Sequence, residues 1–324
     1  MLGLATGPYQ NLLDPDYTLS PEEVCYSLTI KSVERTGKLE FLGHLSEHQN
    51  SDLPSFIPNW TGNSAGTYHH QNKLEALQFF NACAKLTAQM KTVSKRMISL
   101  RGVIFDTVTT IGPYIHDSYV TPESMQKLRT MVPTEQLANE RYCHTNDTLQ
   151  QAFLYTVCAG MEFLSGEDYW YSQRMKGPLN STKIQSLYRL LGIGPRRPIN
   201  ASHSELELVR MGQNAKALQT ATHETRYFTT SEGYIGLGPG KCQEGDIVVV
   251  LAGGTVPYII RLVLPSRKFT MVAQGLGENV NEQELLSKPW YTMLGTAYVH
   301  GIMDGEVFEI LDETETQLRD IILV

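Results

Sequence analysis

Residues 247–264 read IVVVLAGGTVPYIIRLVL, and the reading of this stretch decides the fold. Its apolarity suits a membrane-spanning helix, which needs about 20 predominantly apolar residues. Three features oppose that reading. Gly253 and Gly254 stand side by side, Pro257 lacks a backbone donor, and Arg261 places a charge among the apolar residues. The apolar residues are also mostly β-branched, which favours a pleated surface over a helix. The stretch therefore predicts two strands about a glycine turn and no membrane span.

The same grammar continues on either side. Residues 226–230 and 234–237 flank Ser231-Glu232-Gly233, and residues 294–303 and 306–311 flank Asp304-Gly305. Asp-Gly is a strong signal for a two-residue hairpin, because both turn positions need positive φ. Six or seven short antiparallel strands in about ninety residues predict a small barrel-like or strongly curled sheet.

Upstream the signals are mostly helical. Ser20-Pro21-Glu22-Glu23 supplies an N-cap, a proline at the first helical position and a glutamate three residues after the cap. Thr121-Pro122-Glu123 starts a second helix by similar logic. Residues 147–161 (DTLQQAFLYTVCAGM) predict a buried helix, and Ser204 with Glu207 opens another through about Leu218. Residues 97–108 (MISLRGVIFDTV) predict a strand, whereas residues 72–93 fit helix or strand equally. Residues 53–60 (LPSFIPNW) carry two prolines and predict an ordered, packed loop. Residues 176–202, with Gly177-Pro178, Gly192, Gly194-Pro195 and Pro198, read as a linker around one apolar patch. The expected fold class is α+β: residues 1–222 mainly helical, the N-terminal two-thirds, followed by an antiparallel β unit over residues 223–324.

Composition narrows the function. The chain has 324 residues, is 41% hydrophobic and 19% charged, and carries a formal net charge of −7. Phosphate-backbone binding needs a basic footprint, so a nucleic-acid partner is not expected. Five cysteines without a CxxC pair predict reduced thiols and a cytoplasmic chain. The sequons at Asn59, Asn146, Asn180 and Asn200 are then expected to be chance matches, since the first residues (MLGLATGPYQN) lack a signal pattern.

His300, Asp304 and Glu306 are the acid–base candidates, because a histidine beside carboxylates can move protons. Against catalysis, Asp304-Gly305 also satisfies a tight hairpin whatever the function, and strand alternation puts His300 on one face with Tyr298 and Ile302. Arg226 and Arg261 are binding candidates if they converge with that set in a pocket. Trp60 either plugs the core or lines a groove for an extended, proline-rich peptide. Gly236-Leu237-Gly238-Pro239-Gly240-Lys241 lacks phosphate-loop spacing and predicts a turn. His69-His70 diverge as neighbours and find no second ligand cluster, so no metal and no cofactor are expected. Cys158, within an apolar helix, reads as a packed thiol.

Several blocks, in order, carry a family resemblance. Residues 2–7 (LGLATG) and Pro15-Asp16-Tyr17 precede the first capped helix; residues 53–60 are similar to a block written LPSWVPDW. Residues 100–108 (LRGVIFDTV) resemble an L-x-x-G-x-x-x-D-x-I strand, and Ala152-Phe153 with Thr156 resembles a helix written AFWRTL. Residues 226–239, residues 245–261 and residues 297–306 (AYVHGIMDGE) match best. Together they resemble the C-terminal portion of the fungal heterokaryon-incompatibility family.

The resemblance implies that the N-terminal effector domain of full-length relatives, thought to be related to the TIR fold, would precede Met1. It further implies a non-catalytic recognition or regulatory role in fungal non-self recognition and programmed cell death, with protein partners from the incompatibility system. The alternative is a small-molecule enzyme of fungal metabolism with His300 and Asp304 as its acid–base pair.

Overall fold

The computed structural model describes residues 12, 16–45, 53–60, 75–76, 78–94, 96–116, 121–134, 137–165, 170–175, 177, 179, 181–193, 205–267, 286–310 and 318–324. The strands are β1 (Met90–Ser94), β2 (Met97–Ile115), β3 (Met161–Ser165), β4 (Trp170–Arg174), β5 (Thr225–Thr230), β6 (Ile235–Pro239), β7 (Ile247–Leu251), β8 (Tyr258–Leu262), β9 (Trp290–Thr296), β10 (Tyr298–Val299) and β11 (Arg319–Leu323). The helices are α1 (Pro21–Thr36), α2 (Pro122–Arg129), α3 (Leu149–Val157), α4 (Ser181–Leu191), α5 (Glu205–Thr222) and α6 (Glu306–Ile310).

The stretch 247–264 folds as expected. β7 and β8 pair antiparallel, with Ile247 opposite Ile260 and Val249 opposite Tyr258, across a turn holding Gly253. Gly253 has φ +86°, and a Cβ there would stand 2.6 Å from that of Ala88, so backbone shape and close approach both select glycine. β5 and β6 form the second expected hairpin.

β2 is the spine of the molecule. Around Leu100 it pairs with β1 on one side and β11 on the other. Further along it pairs with β7 and then with β5. The Arg101 N–H donates to Gln89 O at 3.1 Å, and Arg101 O accepts from Ala252 N–H at 2.9 Å. In an antiparallel ladder a residue's donor and acceptor face the same neighbour, so β1 and β7 follow one another along one edge of β2. β11 therefore lies on the opposite edge. β7 pairs with β8, β8 with β9, β9 in parallel with β11, and β11 with β2, which closes a barrel of five strands. Ile98, Leu100, Val249, Leu251, Tyr258, Ile260, Tyr291, Met293, Ile321 and Leu323, two from each barrel strand, meet in one core, as inward positions of a small barrel must. Cys25, Ile30 and Val33 of α1, together with Phe56 and Ile57, join that core.

Several expectations need correction. Among the described residues the N-terminal two-thirds is not mainly helical: strands begin at Met90, and the spine of the sheet lies before residue 222. β2 runs to Ile115 and not to Val108, because irregular register between Ile111 and Tyr114 lets the strand pass Gly112-Pro113, which a regular ladder does not tolerate. The expected hairpin about Asp304-Gly305 does not form. The Asp304 N–H donates to Glu306 Oε2 at 2.6 Å and the Phe308 N–H to Gly305 O at 2.9 Å, so the chain starts the short helix α6. Residues 176–202 hold α4 and are more than a linker: Leu187 and Leu191, one helical turn apart, are fully buried. β11 (RDIIL) adds a strand beyond those that the glycine turns predict.

The helices between β2 and β5 make a second layer. Met125, Leu128, Phe153, Leu154, Val157, Leu187, Leu191, Ala217 and Leu218 pack with Ile115 and Phe163 in one cluster. α3, the buried helix expected over residues 147–161, runs only from Leu149 to Val157 before β3 starts at Met161, and a capping box between Thr148 and Gln151 fixes its start. That cap sets the position of Asp147.

Candidate functional site

A cleft of about 410 Å³ opens between the layer of helices and the barrel. Its walls include Asp147 before α3, Tyr155 within it, Arg174 at the end of β4, Phe80, and the segment carrying Tyr298, His300, Asp304 and Glu306. This volume lies within the range of about 300–1,000 Å³ usual for small-ligand sites.

His300 stands at the centre and is 7% exposed. Its Nε2 lies 3.0 Å from Asp147 Oδ2, and its Nδ1 lies 3.1 Å from the Tyr298 hydroxyl. A carboxylate only accepts, so Nε2 carries a proton; in the neutral ring Nδ1 then accepts from Tyr298. Tyr155 stacks on the imidazole, with ring centroids 5.3 Å apart and 17° between planes. The backbone is held equally firmly: the His300 N–H donates to Ile235 O at 2.9 Å, and the buried Tyr142 hydroxyl donates to His300 O at 3.2 Å. Hydrogen bonding from His300 holds the Asp147 carboxyl below its ordinary range, and burial pushes the Tyr298 phenol well above its own. Tyr298 therefore keeps its proton at physiological pH.

At the rim Arg174 grips Asp304 with both terminal nitrogens, one of them 2.5 Å from Oδ1, while its Cζ lies 5.0 Å over the Phe80 ring. Two parallel bonds from a planar guanidinium make this the tighter kind of ion pair. The same Arg174 donates to Phe79 O at 3.4 Å, tying β4 to the barrel side. Burial pushes the Glu306 carboxyl upward, and neighbouring Asp304 adds to the shift. Among the described residues no cation forms an ion pair with Glu306.

The structure thus brings His300, Asp304 and Glu306 together, as their closeness in sequence suggests, but leaves the two arginines elsewhere. Arg226 donates to Gly240 O at 2.7 Å and Gly112 O at 3.2 Å, and lies over the Tyr114 ring. There it clasps β5 to the far end of β2. Arg261 makes bonds of 2.7 and 2.9 Å to Asp246, whose carboxylate is almost fully buried, and reaches Lys241 O at 2.8 Å. Trp60 is half-buried against the barrel core and its ring lies 4.5 Å from that of His44. His69 and His70 fall outside the described residues. Sequence reading missed Asp147 and Arg174: the first reads as a helix start and the second sits in an unassigned stretch.

Comparison with known proteins shows what this architecture resembles. The Het-6 beta-barrel domain family model matches residues 200–288. Heterokaryon incompatibility protein 6, OR allele, of Neurospora crassa is 24% identical over 365 aligned positions, covering 98% of this chain. Residues 200–288 thus match a Het-6 beta-barrel domain, and the chain is similar along nearly its whole length to a heterokaryon-incompatibility protein. It spans about half the length of that relative, 49%. No solved structure matches the chain.

Set on the structure, the stretch that matches the Het-6 beta-barrel domain runs from before α5 to just short of β9. It holds β7 and β8, but closure also uses β2, β9 and β11, which lie outside it. The barrel is therefore completed by strands far apart in sequence. Among the described residues no helix is long and apolar enough to cross a membrane.

Proposed function

We propose that this chain is a recognition or regulatory region of a heterokaryon-incompatibility protein, working in the cytoplasm through contact with protein partners and not by catalysis. The observation that carries the reading is that His300 and Arg174 in the cleft are each engaged by neighbouring side chains. Both nitrogens of His300 are engaged by Asp147 and Tyr298, and Arg174 is engaged by Asp304. A general base must offer a free lone pair toward a substrate proton, and these groups are already committed to one another. Nucleophilic cysteine chemistry has little support, because burial pushes the Cys158 thiol up to about 12 and Cys242 likewise to about 12. The similarity to an incompatibility protein supports the biological setting.

The test pairs incompatible fungal strains carrying the chain as wild type, as Tyr298→Phe or as His300→Asn. The expected result is an unchanged incompatibility reaction for any variant that folds. A lost reaction in a variant with wild-type melting and wild-type partner capture would show that the cleft performs chemistry.

One observation favours a second reading, the small-molecule enzyme. His300, Asp304 and Glu306 do share a cleft, and Asp147 supports the imidazole from behind as an orienting carboxylate does. On this reading Asp147, and not Asp304, partners His300, and turnover of a small substrate falls with Asp147→Asn.

A further inference from the structure

We propose that the cleft between α3, β4 and the segment of residues 298–306 binds a guanidinium or alkylammonium group, seated against Glu306 with Asp147 behind it and the Tyr155 and Tyr298 rings as walls. The cleft itself is the starting observation: an open volume of about 410 Å³ framed by Phe80, Tyr155 and Tyr298. Aromatic faces carry negative potential and favour organic cations over anions.

Charge selects the same class of ligand. The described lining residues include three carboxylates, Asp147, Asp304 and Glu306, against the single guanidinium of Arg174. Arg174 is committed to Asp304, which leaves Glu306 without a cationic partner among the described residues. An anion entering here would face the Glu306 carboxylate and find the one guanidinium of the described lining taken by Asp304. A cation would meet the missing complement of Glu306 in a partly desolvated place, where Coulomb attraction is stronger than in water. The upward push on the Glu306 carboxyl has the sign expected of a carboxylate that lacks such a partner.

This inference deepens the recognition reading and rests on it in one respect: the cation can come from an arginine or lysine side chain of a partner protein. It can also come from a free small amine, so the experiment separates the two sources. Titration calorimetry on the whole purified chain uses agmatine as the free cation, acetyl-Gly-Arg-Gly-amide as the side-chain mimic, and acetyl-Gly-Gln-Gly-amide as the neutral control. Cationic probes bind and the neutral peptide does not; Glu306→Gln weakens binding about tenfold, and salt weakens it further.

Should Glu306→Gln not fold, the wild-type chain supplies its own readout. A bound cation lowers the Glu306 pKa, so binding at a mildly acidic pH, where the carboxyl is part-protonated, releases protons, measured in two buffers of different ionisation enthalpy. Absence of binding by both cationic probes, equal binding of the neutral peptide, or binding without proton release overturns the cation site and leaves the recognition reading on its similarity to the incompatibility protein. Binding of agmatine but not of the arginine peptide keeps the cation site and removes its support for a protein partner.

Discussion

His300 Nε2 and Asp147 Oδ2 lie 3.0 Å apart, joining residues 153 positions apart in the chain and fastening the layer of helices to the barrel. Thr145 Oγ1 donates to the same carboxylate oxygen at 2.8 Å, so Asp147 is held on both sides. Tyr142 adds a second tie by binding the His300 carbonyl and accepting from the Ile235 N–H at 3.2 Å.

The first prediction follows from that bond. Asp147→Asn removes a charge-assisted partner from a mostly buried imidazole and costs about 1–3 kcal/mol of stability. Because the folded-state pKa of Asp147 is lowered, its contribution is present above the unfolded value near 3.8 and is lost as pH falls through the lower folded value. Urea denaturation from about pH 6 down to pH 3 reads this: the gap between wild type and variant narrows at the acidic end. A gap constant with pH contradicts it.

The pair formed by Arg261 and Asp246 gives a larger effect. Asp246 is 1% exposed, so removing Arg261 leaves a buried carboxylate without its cation. Arg261→Ala is expected to cost about 3–5 kcal/mol, and Arg261→Lys recovers only part, since an ammonium cannot reproduce the two-bond fork. Chemical denaturation at neutral pH measures both variants. A loss below about 1 kcal/mol in Arg261→Ala would show the pair to be a surface contact.

Much of the barrel was legible in sequence because β7 is a run of β-branched residues and Ile259-Ile260 of β8 follow it across a glycine turn, a local signal that needs no partner. The spine was only half legible. β2 reads as a strand through Val108, but its continuation past Gly112-Pro113 depends on pairing with β5, which lies more than a hundred residues away. Asp304-Gly305 misled for a related reason. The dipeptide encodes a tight turn, and whether a strand or a helix follows is decided by Glu306 and by Arg174 from β4, neither of which local pattern weighs. The cleft was legible in its sequence-adjacent half, His300 with Asp304 and Glu306. The half that makes it a site, Asp147 and Arg174, arrives through tertiary packing.

Two glycines of similar backbone separate turn strain from packing. Gly245 has φ +87° with open space around its missing Cβ, whereas Gly253 has φ +86° and a Cβ there would meet Ala88 backbone and side-chain atoms at 2.6 Å. Gly245→Ala is expected to cost about 1–2 kcal/mol, the left-handed penalty alone. Gly253→Ala adds overpacking and costs at least about 1 kcal/mol more. Thermal melts of the two variants compare them directly; equal losses would mean that the contact with Ala88 is easily relieved.

Thiol accessibility tests the burial pattern without any substitution. Cys143 is exposed, and Cys25, Cys83, Cys158 and Cys242 are buried. Native protein at about pH 8 is expected to react with a disulfide reagent at one thiol quickly and at the others only on unfolding, because the thiolate attacks and burial disfavours it. Rapid reaction at Cys158 or Cys242, located by mass spectrometry, would contradict the packing described here.

Closure of the barrel depends on its last strand. β11 pairs antiparallel with β2 through Ile321 opposite Leu100 and in parallel with β9 through Ile322 opposite Trp290. Val324 continues the seam: its N–H donates to Tyr291 O at 3.0 Å, and its carbonyl accepts from the Ser55 N–H at 3.0 Å. Removing residues 319–324 of this chain would bare one edge of β2 and one of β9, and would expose the core that Ile321 and Leu323 fill. Each lost side chain forfeits about 2–5 kcal/mol by analogy with large-to-small core substitutions, and open edges invite pairing between molecules. A shortened chain is expected to lose near-ultraviolet circular dichroism and cooperative unfolding and to aggregate. A control with Ile310→Ala, at a position 56% exposed on α6, keeps both signals. Cooperative unfolding of the shortened chain within about 1 kcal/mol of the parent would mean that β2, β7, β8 and β9 hold together without the strand that closes the ring.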